Sequence, residues 1–382
     1  MSWFSREADN HSTRQFTITQ IDPTQRCGNG CRHCGNNSTM KGGELSPDDI
    51  RLLSHSRDFQ LGKRAGPAHE YESRITLAGG GDPTFHIDFP DFLRTVASSV
   101  ECVRILTGGL SPALDLDQLE AVLREVRDNS GNIHAEVSFH PYGYLHGDGR
   151  IRETLLALSR LPLAQLSLKI LHTADWLDTP PEARSQLSYL SPSDAYTTSL
   201  FSWVRANFST FEDGRRALSS SSPKQESKPF LDVRTSPTFL RNTGRARDLH
   251  GALTSGMTTP KKVHAFLNAV KHGVFNDMHM TADGHLTACF AADFGRPELY
   301  EGDLRGHSFE EIVANRALLV SHYVRECEVW LRSRQNSEHG SICDTVCKRA
   351  REAFVSDPRR IPSHRGSGET VLPVRQKLVV TR

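Results

Sequence analysis

Short apolar runs recur along the first two thirds of the chain, and a segment of helical period follows most of them. Phe16, Ile18 and Ile21 predict a first strand that stops at Asp22-Pro23. Arg74-Ile75-Thr76-Leu77-Ala78 predicts a second, cut off by Gly79-Gly80-Gly81-Asp82-Pro83. Val103 to Thr107, Ala135 to Phe139, Leu166 to Leu171 and Phe230 to Arg234 predict four more. Between them, helical spacing starts after Ser46-Pro47, where Ser46 suits a cap and Pro47 a first turn. It returns over about 89–99, Leu116 to Val126, 151–161 and 194–208. Strands alternating with helices of about 10–15 residues mark a parallel sheet with helical crossovers. The predicted class is α/β.

The last third reads differently. A helix over about 260–272 precedes a hairpin-like unit from His279 to Leu286, whose Asp283-Gly284 is a strong turn signal. Phe309 to Leu319 and Tyr323 to Arg332 read as two helices, and the tail from Ser356 is basic, rich in Pro and Gly, and extended. Ser219-Ser220-Ser221-Ser222-Pro223 reads as a surface loop. With 46 Lys+Arg against 45 Asp+Glu, the formal charge of +1 argues against general nucleic-acid binding, which needs a basic excess. No apolar run approaches about 18 residues and the N-terminus has no secretory core, so a cytoplasmic protein without a membrane span is expected.

In such a compartment the eight cysteines are not a disulfide framework. Cys27-Gly28-Asn29-Gly30-Cys31-Arg32-His33-Cys34 follows the first strand directly, and crowded cysteines read first as metal ligands. Three thiolates on a loop where Gly28 and Gly30 permit positive φ can grip three corners of a [4Fe–4S] cube. One iron is then open, as a catalytic cluster requires. A structural zinc knuckle using the same cysteines with His33 or a distant ligand is the alternative.

This C-x3-C-x2-C loop after strand one resembles that of the radical S-adenosylmethionine superfamily. The resemblance covers about residues 16–250 and implies a partial (βα)6 TIM-type barrel, with a [4Fe–4S] cluster on Cys27, Cys31 and Cys34. It implies S-adenosylmethionine chelated at the open iron and cleaved to a 5'-deoxyadenosyl radical. His33 stands where the family often places an aromatic residue by the adenine. Gly80, Gly81, Asp82 and Pro83 resemble the Gly-Gly-Glu-Pro motif, whose carbonyls receive the methionine ammonium, with Asp82 in place of the usual Glu. Ser138 matches a polar position for the ribose and carboxylate, and Arg245 falls in a Gly-Arg-Ala segment found after strand six. Parallel barrels build active sites at such C-terminal strand ends.

The stretch from Asp283 to Cys289, then Gly302 to Gly306 and Phe309 to Ile312, resembles a SPASM/Twitch extension. That implies a small C-terminal α+β iron–sulfur unit, with Cys289, Cys327, Cys343 and Cys347 closing one auxiliary [4Fe–4S] cluster. The run lacks the cysteine usually ahead of Gly284 and two middle cysteines, so a zinc site or buried core cysteines stay open. His272, His285 or His339 can substitute for a cysteine. Cys102, flanked by apolar residues in strand three, reads as core. The expected divisions are a loose segment 1–15, a barrel 16–255, an auxiliary-cluster unit 256–355 and the tail 356–382.

The resemblance implies an oxidoreductase that draws electrons from an external donor such as flavodoxin or ferredoxin. It removes hydrogen from an unactivated C–H bond and oxidatively modifies a peptide or natural-product intermediate, with the auxiliary cluster accepting the electron. Dehydrogenation or epimerisation of a sugar or aminoglycoside-type molecule is the alternative within that chemistry, and a non-catalytic zinc scaffold the alternative outside it. Only 26 residues precede Cys27, so a leader-peptide-binding function of the ribosomal-peptide kind is expected on a separate protein. His140, His172 and Arg234, with Tyr142, are the candidate substrate-facing residues, each placed at or just after a strand end. His140 and His172 suit proton acceptance.

Overall fold

The computed structural model describes residues 16–29, 38–56, 59–64, 73–139, 148–173, 194–212, 215–216, 228–238, 257–271, 277–287, 301–304, 306–333, 338–339 and 342–363. Six strands, β1 (Phe16–Ile21), β2 (Ser73–Leu77), β3 (Cys102–Thr107), β4 (Asn132–Phe139), β5 (Gln165–Thr173) and β6 (Phe230–Thr238), carry the architecture. They lie side by side in chain order, every neighbour parallel. The helices α1 (Pro47–Ser54), α2 (Phe89–Ala97), α3 (Leu116–Asp128), α4 (Gly149–Ser159) and α5 (Asp194–Asn207) fall between them. A strand order that never reverses, joined by right-handed crossovers, puts its connecting helices on one face.

The burial pattern agrees. Ile75, Leu77, Val103, Ile105 and Ile133 pack with Phe89, Phe92, Leu93, Leu119, Val122 and Leu123 in one core cluster. Ala135, Val137, Phe139, Leu168 and Val233 pack with Ile151, Leu155, Leu200 and Val204 in a second. On α2 alone, Phe89, Phe92, Leu93 and Val96 are fully buried. At about 1.5–3 kcal/mol per side chain, their burial outweighs the exposed Arg94–Asp91 and Arg94–Glu125 pairs, each worth about 0–1 kcal/mol. Local chemistry supports the same elements: Ser46 caps α1 in a capping box with Asp49, and Asp115 accepts from the Asp117 and Gln118 amides at the start of α3.

Both edges of the parallel core are extended. Residues Ser209–Glu212 pair in parallel with β6. On the other edge β7 (Asp277–Met280) pairs in parallel with β1, and β8 (His285–Thr287) and β9 (Gly302–Asp303) continue antiparallel. The predicted hairpin is therefore present, and its first strand enlarges the main sheet. The two helices expected over 309–332 are one, α7 (Phe309–Arg332), after α6 (Pro260–Lys271). No Gly or Pro interrupts α7, and buried Ile312, Leu319, Tyr323, Cys327 and Trp330 run along its length.

The α8 helix (Lys348–Val355) follows, and the start of the tail is fastened rather than free. Asn315 exchanges two hydrogen bonds of 2.8 Å with the Ile361 backbone, and His322 reaches Asp357 at 2.9 Å. Among the described residues no helix is long and apolar enough to cross a membrane.

Candidate active site

The chain leaving β1 and the turn leaving β2 lie against each other at the C-terminal end of the sheet. The reason is steric. A Cβ on Gly81 would stand 2.2 Å from the Arg26 carbonyl oxygen and 2.7 Å from that of Thr24, so only glycine lets the two backbones meet. Gly79 has φ +130°, and a Cβ there would overlap the Asp22 carboxylate. The contact is then stitched by hydrogen bonds. The Asp82 amide donates to the Arg26 carbonyl at 3.0 Å, the Ser38 hydroxyl donates to the Gly80 carbonyl, and the Cys27 amide donates to the Thr39 carbonyl at 2.9 Å.

Asp82 is the hub of this contact. Its carboxylate is buried and accepts from the Thr84 amide at 3.1 Å and the Thr84 hydroxyl at 2.8 Å. It also accepts from the Thr107 hydroxyl at 2.9 Å, the Gly108 amide at 2.8 Å and the Asn29 side-chain amide at 3.2 Å. Burial raises its pKa above the ordinary carboxylate value, against the pull of these donors. The side chain thus ties the glycine turn to the end of β3 and to the cysteine loop. Pro83 starts the short helical turn Pro83–Phe85, for which Asp82 is the cap.

Cys27 is half-buried on the loop docked here, and its Sγ accepts the Asn29 amide at 3.4 Å. An amide donor to sulfur stabilises a thiolate and tunes a cluster held by it, which fits an iron–sulfur ligand. Gly28 departs from expectation. It is absent from the positive-φ residues; what it supplies is space, since a Cβ would lie 2.8 Å from the Phe85 ring. Cys31, His33 and Cys34 lie outside the described residues, as do His140, Tyr142 and Arg245.

The face of the sheet away from the helices is polar. Glu136 on β4 is buried between two cations, paired with Arg104 of β3 and 3.7 Å from Lys169 of β5. Ser138 stands two residues further along, half-buried and in register with Lys169. The pattern His134, Glu136, Ser138, then Ser167, Lys169, then Asp232, Arg234 is a period-2 signal that the sequence offered and that reasoning from apolar runs passed over. A parallel strand covered by helices on both faces reads as a continuous apolar run; alternation means one face lines something polar.

Arg234 belongs to this face and lies mid-strand, not at a strand end, because β6 continues through Ser236-Pro237 in register with β5 as far as Thr238. Its guanidinium is turned to Asp232, which also accepts from Gln165 at 3.0 Å. His172 holds the register position opposite Pro237 near the end of β5, and its side chain lies outside the described residues.

In the C-terminal part, Cys327 is fully buried with Val263, Trp330 and Val346, and Cys347 packs with Leu319, Tyr323 and Phe354. Burial, with Glu326 and Glu328 alongside, pushes the Cys327 thiol up to about 12. Cys343 and Cys347 bracket a π-helical turn, a rare geometry frequent at functional sites. Cys289 and the Cys343 side chain lie outside the described residues. Among the described residues, no three His, Cys, Asp or Glu converge as a metal site.

No family model matches the chain, and no curated protein matches it. Among solved structures it is similar to BtrN in complex with AdoMet and 2-DOIA, at 12% identity and a TM-score of 0.37, over 85% of this chain and 91% of that one. It is also similar to Streptococcus suis SuiB bound to precursor peptide SuiA, at 10% identity and a TM-score of 0.31, over 75% of this chain and 62% of that one. SuiB bound to S-adenosylmethionine gives 8% identity and a TM-score of 0.29, over 74% and 63%. The chain spans about three fifths of the SuiB chains it matches.

Proposed function

We propose that this chain is a radical S-adenosylmethionine enzyme that oxidatively modifies a peptide or natural-product intermediate. One observation carries the reading: the Cys27 loop is docked on the Gly79-Gly80-Gly81-Asp82-Pro83 turn at the C-terminal end of a parallel sheet. The site would be built from Cys27, Cys31 and Cys34 as ligands of a [4Fe–4S] cluster, with the glycine turn beside it for S-adenosylmethionine. When bound, the two supply hydrogen abstraction from an unactivated C–H bond. The protein's part is orientation and exclusion of water. The Gly80 and Gly81 backbone forms the wall of the site, Asp82 keeps it rigid, and Ser138 and Lys169 present polar groups from the open face of the sheet.

On this reading the sheet curls into a partial (βα)6 barrel whose polar face is the cavity. Its charged lining suits a hydrophilic substrate. His140 and His172 are the candidate proton acceptors, and His33 and Arg245 complete the cofactor's surroundings. Cys289, Cys327, Cys343 and Cys347 are proposed to hold an auxiliary [4Fe–4S] cluster that accepts the substrate's electron, in a C-terminal unit over 256–355, with the first electron arriving from a flavodoxin or ferredoxin.

Metal analysis of anaerobically purified protein should give iron and sulfide near about eight per chain, the content of two cubanes. The combined variant Cys27→Ala, Cys31→Ala and Cys34→Ala should keep about half the iron and form no 5'-deoxyadenosine from S-adenosylmethionine with a reductant. Zinc without iron, or cofactor cleavage by that variant, removes the reading.

A further inference from the structure

The glycine turn has a second support, which comes from His279, 200 residues further along the chain than Gly79. Where β7 pairs with β1, His279 stands opposite Gln20, with a register shift between Ile18 and Gln20. The Asp22 amide donates to the Met280 carbonyl at 2.8 Å, carrying the pairing one residue past the end of β1. This brings His279 Nε2 within 2.6 Å of Asp22 Oδ1, and both side chains are about 1% exposed. Gln20 completes the group by donating to the Ala78 carbonyl at 2.9 Å, immediately before the glycines.

Above the pair lies the turn itself. The Asp22 carboxylate occupies the place a Gly79 side chain would take, it is 3.1 Å from a Cβ position on Gly80, and the Gly80 N–H and the Gln20 amide also face it. A buried carboxylate is costly unless donors hold it. Here the hydrogen-bond partner is His279 of the C-terminal strand on one side, and the turn packs against the carboxyl group on the other. Moving His279 would strip the buried Asp22 carboxyl of its partner directly under Gly79 and Gly80, to be relieved by taking up a proton, by water entering or by the turn shifting.

We propose that Asp22 and His279 are positioning residues for the cofactor turn, locking the Gly79–Gly80 backbone and making the C-terminal strand a structural requirement for S-adenosylmethionine binding. The proposal rests on the reading of the site given under Proposed function for the identity of the ligand. For the turn it rests only on the contacts above. Neither residue touches the reacting atoms; both act through the backbone they hold. The chain contributes the couple from its two ends, so the hairpin expected to serve only the second cluster also serves the first site.

The test uses the full chain purified anaerobically with its iron in place. Hydrogen exchange of a peptide spanning 76–84 should be faster in His279→Ala than in wild type, and slow again in His279→Gln, whose amide can donate to Asp22. S-adenosylmethionine affinity should fall about tenfold or more in His279→Ala, as is usual when an outer support of a site is lost. It should recover to within about threefold in His279→Gln, with iron content equal in all three. Asp22→Asn offers the same comparison should His279→Ala fail to fold. Unchanged exchange at 76–84 and unchanged affinity overturn the proposal. Exchange fast in His279→Ala and slow again in His279→Gln, together with a wild type that binds no S-adenosylmethionine, upholds the couple and overturns the reading of the ligand.

Discussion

Gly79 shows how narrowly one residue can be specified. Its φ of +130° lies where side chains are disfavoured, and its missing Cβ is replaced by the Asp22 carboxylate. Gly79→Ala should therefore cost about 2 kcal/mol or more, from backbone strain of about 1–3 kcal/mol plus displacement of the buried Asp22 carboxyl group. Strain and displacement can be separated. In an Asp22→Ala background the same substitution should cost less, and the difference between the two backgrounds measures the overlap term by a double-mutant cycle in urea. Equal costs would mean that the backbone alone demands glycine. In the sequence the three glycines were readable as a strand terminator. Asp22, a residue before a proline, carried no mark of its partner, because the contact is set by a strand pairing between positions 22 and 280.

Among the elements, the hairpin of β7 and β8 was the most legible, since Asp283-Gly284 announces its turn. The lock inside it was not. The Asp283 carboxylate accepts from Thr281 and pairs with His285 Nδ1 at 3.0 Å. Burial raises its pKa, but the His285 hydrogen bond and charge and the Thr281 hydroxyl outweigh that and bring it down to about 2. A carboxyl depressed in the folded state stabilises fully above its unfolded value of 3.8 and loses that contribution as pH falls through about 2. Wild type should thus unfold at a higher temperature than Asp283→Asn at pH 5, and the gap should close between pH 4 and 2. A gap independent of pH would place the effect in packing instead of charge. The ends of β1, β2 and β3 were readable because Gly and Pro punctuate them, whereas β6 runs through Ser236-Pro237 to Thr238. The merger of two expected helices into α7 was not, because the residues between Leu319 and Tyr323 contain neither a breaker nor a strong apolar repeat.

At the scale of the whole molecule, the alternation of strands and helices predicted a parallel sheet with helical crossovers, and the resemblance to a (βα)6 barrel supplied the expectation of chain-order neighbours. What it left open was the polar face, with Glu136 between Arg104 and Lys169, and the joining of β7 to β1. Both depend on which residues become neighbours across the sheet. The four late cysteines make opposite demands under the two readings of them. If Cys327 and Cys347 are plain core, Ala at both positions removes two small buried groups, costs about 1 kcal/mol each, and leaves the metal untouched. If they close an auxiliary cluster, Cys327→Ala with Cys347→Ala should lower iron from about eight to about four per chain. Formation of 5'-deoxyadenosine should continue in that variant, because the Cys27 site is intact, while substrate oxidation stops for want of an electron acceptor. Iron that stays near about eight in the double variant would return both cysteines to the apolar clusters in which they are packed.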